Sequence, residues 1–581
     1  MKMVNIKING MALSVPENYT ILEAARELGI EIPTLCYMKE INEIGACRVC
    51  VVEVKGARTL VTACVYPVAE GMEIVTNSLR VQEARKTTLE LILSTHDRSC
   101  LSCVRSGNCE LQKLCQEFGV SNESRYDGFN PQYMSDDSAI HMVRDNNKCI
   151  LCRRCVAACQ QQQVAVIGVN DRGFDTHIGC AFDSDLSKVS CVSCGQCIVN
   201  CPTGALSERD DTAKVFEAIG DPTKHVVVQT APSIRVTLGE CFGMPIGSNV
   251  QGKMAAALRR LGFDKVFDTD FAADLTIMEE ATEFLTRVKE GGKLPLITSC
   301  SPGWVKYCEY YYPDLLDNLS SCKSPQQMFG AVIKTWYAEK NGIDPKDIIV
   351  VGIMPCTAKK FEVGRPNEDA AGVPDCDIAL TTRELGRMIN RAHINFASLP
   401  DEEFDNPLGE ATGAGVIFGA TGGVMEAALR TAVETLTGKP LENVDFNDVR
   451  GTDAIKTKTY NVAGMDVKVA VASGLKAAHE LLERVNGGEE FHFIEIMGCP
   501  GGCVNGGGQP VQDAVTRSFV DLKAKRATAI YDADKDSAIR KSHENPEIKK
   551  LYDEYFEKPG SHLAHKILHT SYIDCSKDVI K

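Results

Sequence analysis

The chain has 581 residues, 44% of them hydrophobic and 24% charged, with a formal net charge of −15 and a pI near 5.4. A chain of this length and apolar content can bury several cores, so three or four folded domains are expected and general disorder is excluded. An acidic surface disfavours nucleic acid and repels acidic partners.

The first segment, residues 1–80, opens with an alternating pattern, Met1 to Gly10, that reads as a strand and lacks the apolar core of a signal peptide. Val4–Gly10 and Met11–Val15 are predicted to pair around a turn, and Thr20–Gly29 to form an amphipathic helix ending at glycine. Cys36, Cys47, Cys50 and Cys64 follow in a loop-rich stretch. They have the separated ligands of a plant-type two-iron ferredoxin, with a longer first gap, although four thiolates also suit zinc. The whole chain holds 26 cysteines in short clustered spacings. Such spacing without a secretory signal favours metal-bound thiolates in a reducing compartment over disulfides. No apolar run approaches the roughly 18 residues that span a bilayer, so a cytoplasmic protein without a membrane span is expected.

In the second segment, residues 81–138, a predicted helix over Glu83–Ser94 leads into His96-x3-Cys100-x2-Cys103-x5-Cys109. One imidazole replaces one thiolate. Because neutral imidazole carries less negative charge, a cubane held by His96, Cys100, Cys103 and Cys109 should differ in potential from an all-cysteine neighbour. Residues 139–210 carry the clearest local pattern, two runs of C-x2-C-x2-C-x3-C, Cys149 to Cys159 and Cys191 to Cys201, the second followed by Pro202. In such runs the fourth cysteine ligates the other cluster, which assigns Cys149, Cys152, Cys155 and Cys201 to one cubane. Cys191, Cys194, Cys197 and Cys159 hold the second.

From 211 to 515 short apolar strands alternate with helices: His225–Thr230, the helix Gly252–Leu261, Lys265–Asp268 and Leu294–Thr298. This pattern predicts parallel sheets with helices on their faces and sites at the carboxyl ends of strands. Cys300 follows Leu294–Thr298, Cys356 follows Asp347–Ile353, and Cys499 follows Phe491–Ile496, so three strand ends can converge on one cavity. Gly413–Gly419 lacks the G-x-G-x-x-G spacing and its later acidic residue, so no nicotinamide or flavin loop is assigned. With Cys503, four residues after Cys499, nineteen cysteines are placed; Cys115, Cys180, Cys241, Cys308, Cys322, Cys376 and Cys575 remain as small buried hydrophobes.

The stretches Thr298-Ser-Cys-Ser-Pro-Gly-Trp304, Met354-Pro-Cys-Thr-Ala-Lys-Lys-Phe-Glu362 and Ile496-Met-Gly-Cys-Pro-Gly-Gly-Cys-Val-Asn-Gly-Gly-Gly508 resemble the three signature motifs of the iron-only, or [FeFe], hydrogenases. The resemblance spans the chain, including a tail at 516–581 like that family's small subunit. It implies a multidomain α+β and α/β protein: a β-grasp [2Fe-2S] ferredoxin, a His/Cys3 cluster domain, a bacterial two-[4Fe-4S] ferredoxin and a two-lobed α/β H-cluster domain. The H-cluster is a cubane joined by a cysteine thiolate to a two-iron subcluster with carbon monoxide, cyanide and a dithiomethylamine bridge. By motif position Cys503 should bridge, Cys356 and Cys499 should hold the cubane, and Lys359 should donate to a cyanide. Ala231, Pro232, Ser233, Pro325, Gln326, Met354, Met497, Phe418 and Gly419 match segments that line the two-iron pocket.

The resemblance also implies a proton path from a cysteine through glutamate and serine to an outer glutamate, here read in the order Cys300, Glu283, Ser320, Glu280. One departure stands out. The family usually has two adjacent cysteines, the first a proton donor and the second a cubane ligand, where this chain has Cys300-Ser301. Read by position, the donor is kept and a serine replaces the ligand; alternatively Cys300 binds the cubane and Ser301 takes a weaker proton role. The cost of losing a thiolate favours the second. The implied partners are dihydrogen and protons, ferredoxin, and flavin/NAD-binding and small iron-sulfur subunits of an NADH-linked, electron-bifurcating complex. The competing readings are a non-catalytic iron-sulfur assembly or sensory relative and a pure electron-transfer subunit.

Overall fold

A computed structural model describes residues 2–121, 126, 130–462 and 464–580; residues 122–125 and 127–129 of the 81–138 segment lie outside the described residues. The predicted hairpin is β1 (Met3–Ile8) and β2 (Met11–Pro16), paired antiparallel with Val4, Ile6 and Ile8 turned inward. With β3 (Val51–Val54), β4 (Val61–Thr62) and β5 (Glu73–Val75) they make one five-stranded sheet in the order β2-β1-β5-β3-β4. The helix Ile21–Glu27 starts at a reciprocal capping box between Thr20 and Glu23 and buries Ile21, Leu22, Ala24 and Ala25 against it. A cap of this kind contributes about 1 kcal/mol to so short a helix.

The helix Leu79–Ser94 and the shorter Glu110–Glu117 share a small core of Leu35, Val49, Leu89, Leu111 and Leu114, which joins the first two segments. Next come two ribbons made by β6 (Met142–Arg144), β7 (Gly168–Asn170), β8 (His177–Gly179) and β9 (Leu206–Glu208), β6 with β9 and β7 with β8.

The rest of the chain is built on two four-stranded sheets. One is all parallel, in the order β11-β10-β13-β14, from β10 (His225–Thr230), β11 (Lys265–Asp268), β13 (Ile348–Met354) and β14 (Ile378–Thr381). The other runs β12-β17-β16-β15, from β12 (Leu296–Ile297), β15 (Ile455–Val462), β16 (Met465–Ser473) and β17 (Phe493–Met497), with only β15 antiparallel. β10, β13 and β17 are buried along nearly their whole length, as strands covered on both faces are. The carboxyl ends of β12, β13 and β17 release the three cysteine motifs, as the strand-end argument predicts.

The tail closes the molecule. Its helix Leu522–Asp536 buries Arg526, whose guanidinium pairs with Glu240 and donates to the Val504 carbonyl beside Cys503. Further on, residues 568–570 lie against 321–323 through Lys323 N–H to the Leu568 carbonyl and Thr570 N–H to the Ser321 carbonyl. Among the described residues no helix is long and apolar enough to cross a membrane.

Candidate metal and redox centre

All 26 cysteines are free thiols. In the first segment Cys50 Sγ lies 3.3 Å from Cys64 Sγ, and Cys36 Sγ meets Cys47 and Cys64 and accepts the Cys47 N–H at 3.4 Å. The four sulfurs thus converge from loops flanking β3 and β4. In the second, Cys109 faces Cys103, while His96 presents a buried Nδ1 with no hydrogen-bond partner. An orphaned buried ring nitrogen fits a metal ligand. Cys115 borders the same group, and burial pushes its thiol up to about 12.

The thiols of the two C-x2-C-x2-C-x3-C runs gather in two groups. Cys149, Cys152, Cys155 and Cys201 line one small cavity. The thiols that bear on Cys197 are first Cys194, Cys191 and Cys159. Burial pushes Cys149 and Cys194 up to about 12, with neighbouring thiols adding to the effect. So many sulfurs in a dry site are costly as free thiolates and fit positively charged iron.

The spatial order is a fork rather than a string. The Asn42 amide donates to the carbonyls of Cys36 (2.8 Å) and Cys152 (3.0 Å), tying the first group to the thiols around Cys149. A Cβ on Gly204 would fall 2.5 Å from Cys103 Sγ, and Arg105 donates to the Cys201 carbonyl, so the histidine-bearing group reaches the same thiols from another side. The second cubane then abuts the last motif. A Cβ on Gly507 would meet the Cys194 carbonyl at 2.2 Å, and Gly195, at φ +68°, has Thr357 equally close. Glycine is required at both places for the two backbones to touch. Gln162 donates to the Gly498 carbonyl (2.7 Å) and Gln196 to that of Asn505 (3.0 Å) across the same seam.

One largely apolar cavity of roughly 80 Å³ is lined by Cys300, Ser301, Cys356, Cys499 and Cys503 together with Ala231, Pro232, Pro325, Gln326, Met354, Lys359, Phe418 and Met497. Two expected liners, Ser233 and Gly419, stand one layer back: Ser233 Oγ contacts the Cys503 carbonyl (3.4 Å), and a Cβ on Gly419 would press on Ser233 N. Thr269, which sequence reasoning missed, also lines the cavity; it opens the helix after β11, and its hydroxyl holds Gln229, which in turn donates to the Gln326 carbonyl. Strand-end position was the signal that could have found it. Burial works against the Lys359 ammonium, but Glu362, at 2.9 Å, holds its pKa above the ordinary value. Lys359 also donates to Ser324 (2.7 Å) and to the Cys300 carbonyl (3.4 Å).

Cys300 and Ser301 face different ways. After burial itself, the charge that bears most on the Cys300 thiol is Glu280, followed by Cys503. Ser301 is the N-cap residue of the helix Pro302–Tyr311, yet its hydroxyl makes no capping bond to that helix. It accepts the Gly498 N–H at 3.1 Å, beside Cys499.

The proton-path residues come together, but in another order. Glu280 is 2% exposed, and burial raises its carboxyl to about 8, the Ser320 hydroxyl opposing and Glu283 adding to the rise. Its Oε2 is buried with no partner. Glu283, three residues on along the helix Thr269–Glu290, keeps 14% of its side chain exposed and pairs with Arg287 at 2.5 Å. Ser320 Oγ donates to Glu283 at 3.2 Å. Glu280 is therefore the inner glutamate and Glu283 the outer, which corrects the expected order: one turn of the helix carries position 283 outward toward Arg287.

Comparison with known proteins agrees with this geometry. Residues 224–507 match the family described as iron only hydrogenase large subunit, C-terminal domain, and 520–574 match iron hydrogenase small subunit. Residues 1–78 match a 2Fe-2S iron-sulfur cluster binding domain, 85–124 the NADH-ubiquinone oxidoreductase-G iron-sulfur binding region, and 148–206 a 4Fe-4S dicluster domain. The chain is 51% identical to NADP-reducing hydrogenase subunit HndD of Solidesulfovibrio fructosivorans over 98% of this chain and 99% of that one. It is 44% identical to iron hydrogenase 1 of Clostridium pasteurianum over 98% and 100% of the two chains. Among solved structures, apo [FeFe]-hydrogenase HydA1 of Chlamydomonas reinhardtii superposes with a TM-score of 0.57 at 43% identity, covering 63% of this chain and 99% of that one.

Proposed function

The chain belongs to the iron-only, or [FeFe], hydrogenases, and from that premise we propose how its own residues divide the work. It is an oxidoreductase acting on dihydrogen, with an H-cluster in the catalytic domain and [2Fe-2S] and [4Fe-4S] clusters ahead of it. When bound, the H-cluster supplies the interconversion of dihydrogen with two protons and two electrons. The observation that carries the reading is the convergence of Cys356, Cys499, Cys503 and Lys359 on one apolar cavity that abuts the second cubane's ligand loop. Cys356, Cys499 and Cys503 would hold the H-cluster, Cys503 as the thiolate tie to its two-iron part, and Lys359, fixed by Glu362 and Ser324, would offer its ammonium to a cyanide ligand. Protein carrying its two-iron subcluster is expected to evolve dihydrogen from reduced viologen and to show carbon monoxide and cyanide bands in the infrared. Absence of both would sink the assignment and leave the assembly or sensory reading.

The geometry at the unusual motif favours the reading by position over ligation by Cys300. Cys300 would serve as proton carrier toward Glu280, and Ser301 would be the residue that holds the cubane in place of the customary second cysteine. A serine that forgoes its own helix N-terminus to stand at Gly498, next to Cys499, supports this. A serine oxygen is a harder ligand than thiolate, so Ser301→Cys should raise the cubane's potential and alter its paramagnetic resonance signal. Unchanged spectra in Ser301→Cys and Ser301→Ala, with cubane loss in Cys300→Ala, would return the ligand role to Cys300.

The proton path runs Cys300, Glu280, Ser320, Glu283. The same reading takes the chain as the dihydrogen-activating subunit of a larger cytoplasmic assembly that exchanges electrons with ferredoxin and with a flavin- and nicotinamide-binding partner; near full-length similarity to a subunit of an NADP-reducing hydrogenase supports it. It divides the chain at 80, 138, 210 and 515 into a β-grasp ferredoxin, two further cluster domains, a two-lobed catalytic domain and the tail.

A further inference from the structure

We propose that His569, delivered by the C-terminal segment, carries protons between Glu283 and the molecular surface through the hydroxyl of Ser321. The inference extends the proton path proposed above and rests on it. Its starting point is the use of the two oxygens of Glu283. Oε1 pairs with Arg287, whose guanidinium stays protonated and so passes no proton onward. Oε2 accepts from two hydroxyls, Ser320 at 3.2 Å and Ser321 at 3.1 Å. Ser320 leads inward to Glu280. Ser321 leads outward, for its Oγ lies 2.8 Å from His569 Nδ1. One oxygen thus joins an inner and an outer branch, and the hops from Ser320 through Glu283 and Ser321 to His569 are hydrogen bonds, as proton relay requires.

The imidazole is held for this position. His569 forms a bridge to Cys322, flanked by the two backbone bonds that pin 568–570 against 321–323. Its Nε2 lies 3.2 Å from Glu279 Oε2. Glu279 is itself fixed by the Tyr552 hydroxyl at 2.5 Å and the Gly560 N–H at 2.9 Å, both from the tail. The carboxylate orients the ring, as the second hydrogen bond of an imidazole fixes which of its nitrogens faces a proton-transfer partner. One turn earlier, His565 is exposed, and its ring stacks on His569 at 4.4 Å and 9°. The titratable groups that face His569 are Glu279 and Glu283 from the long helix, Cys322 from the paired segment and His565 from its own helix.

The test uses the holoenzyme with all clusters loaded. In His569→Ala, dihydrogen production from reduced viologen at pH 7 to 8 should fall about a hundredfold, the lower end of what a positioned acid-base group supplies. Its solvent deuterium isotope effect should increase, and added imidazole should restore the rate saturably. The infrared bands should not move. Ser321→Ala, which removes the bridge but leaves His569 on Glu279, should show the same loss without imidazole rescue, and it decides the matter if His569→Ala loses clusters. Glu280→Gln serves as the control for the path itself. If Glu280→Gln blocks turnover while both other variants keep the wild-type rate and isotope effect, the His569 branch is overturned. If Glu280→Gln also turns over normally, the path beneath it has failed instead.

Discussion

Glu280→Gln is expected to lower dihydrogen turnover by about 10²- to 10⁴-fold, the range that a positioned proton carrier contributes, while every cluster remains in place. The side chain is fully enclosed, and its unpaired Oε2 is the only described buried carboxyl oxygen without a partner in the segment of the path between Cys300 and Ser320. Glutamine has the same shape and can accept or donate a hydrogen bond, but it cannot take up and release a proton, so packing is preserved and relay is lost. The sign of the pH effect follows from the raised pKa. With its value at about 8, set mainly by burial, Glu280 is a neutral acid below that pH and a carboxylate above it. Dihydrogen production by the native protein should therefore decline as pH rises through about 8, where the acid form is depleted. Glu280→Gln should lose that limb along with the rate, whereas Glu280→Asp, shorter by one methylene, should recover part of both. Stopped assays of dihydrogen across pH 6 to 10, with infrared spectra taken on the same samples, provide the check. A glutamine variant with native turnover, or one that loses its infrared bands, would remove Glu280 from the path.

How the path was misordered shows what a sequence can and cannot carry here. Groups set by short spacing were legible: the two crossed runs need only local geometry, and Cys149, Cys152, Cys155 and Cys201 line one cavity while Cys197 neighbours Cys194, Cys191 and Cys159. The strand ends were legible too, because buried parallel strands announce themselves as apolar runs. Glu280 and Glu283 sit three apart on one helix, and that spacing says only that they share a face; which one points inward depends on the sheet and the tail that cover it. The fork among the upstream clusters escaped for a related reason. Chain order is linear, but the Asn42 and Gly204 contacts bring two early groups to the same cubane. The pair Ser321 and His569, separated by 248 residues, has no local signal at all. Ser301 was visible as a departure, and only its hydrogen bond to Gly498 gave it a direction.

Cys503→Ala should abolish dihydrogen chemistry outright while leaving the electron path intact. The loop that presents Cys503 is seated by glycines that no other residue could replace: a Cβ on Gly502, already at φ +90°, would fall 2.6 Å from Thr421 N, and one on Gly506 would fall 2.2 Å from the Pro355 carbonyl oxygen. With Arg526 gripping the Val504 carbonyl as well, the loop keeps its path when the side chain shrinks to a methyl group. The consequence is chemical rather than structural. Burial pushes the Cys503 thiol up to about 12, with Cys356 adding to the rise and Lys359 opposing it, so a thiolate at this place is stable only on iron. In its absence the two-iron part has no covalent tie to the protein; Lys359 and the apolar walls alone do not replace a metal-thiolate bond. The variant should therefore purify with less iron by that two-iron part, show no carbon monoxide or cyanide bands, and evolve no dihydrogen above background. The upstream clusters, whose ligands lie outside this loop, should keep their paramagnetic resonance signals and still accept electrons from reduced viologen. Infrared bands surviving in Cys503→Ala would mean that another residue bridges the two halves, and Cys300, which shares the cavity and lies close enough to feel the charge of Cys503, would be the next to substitute.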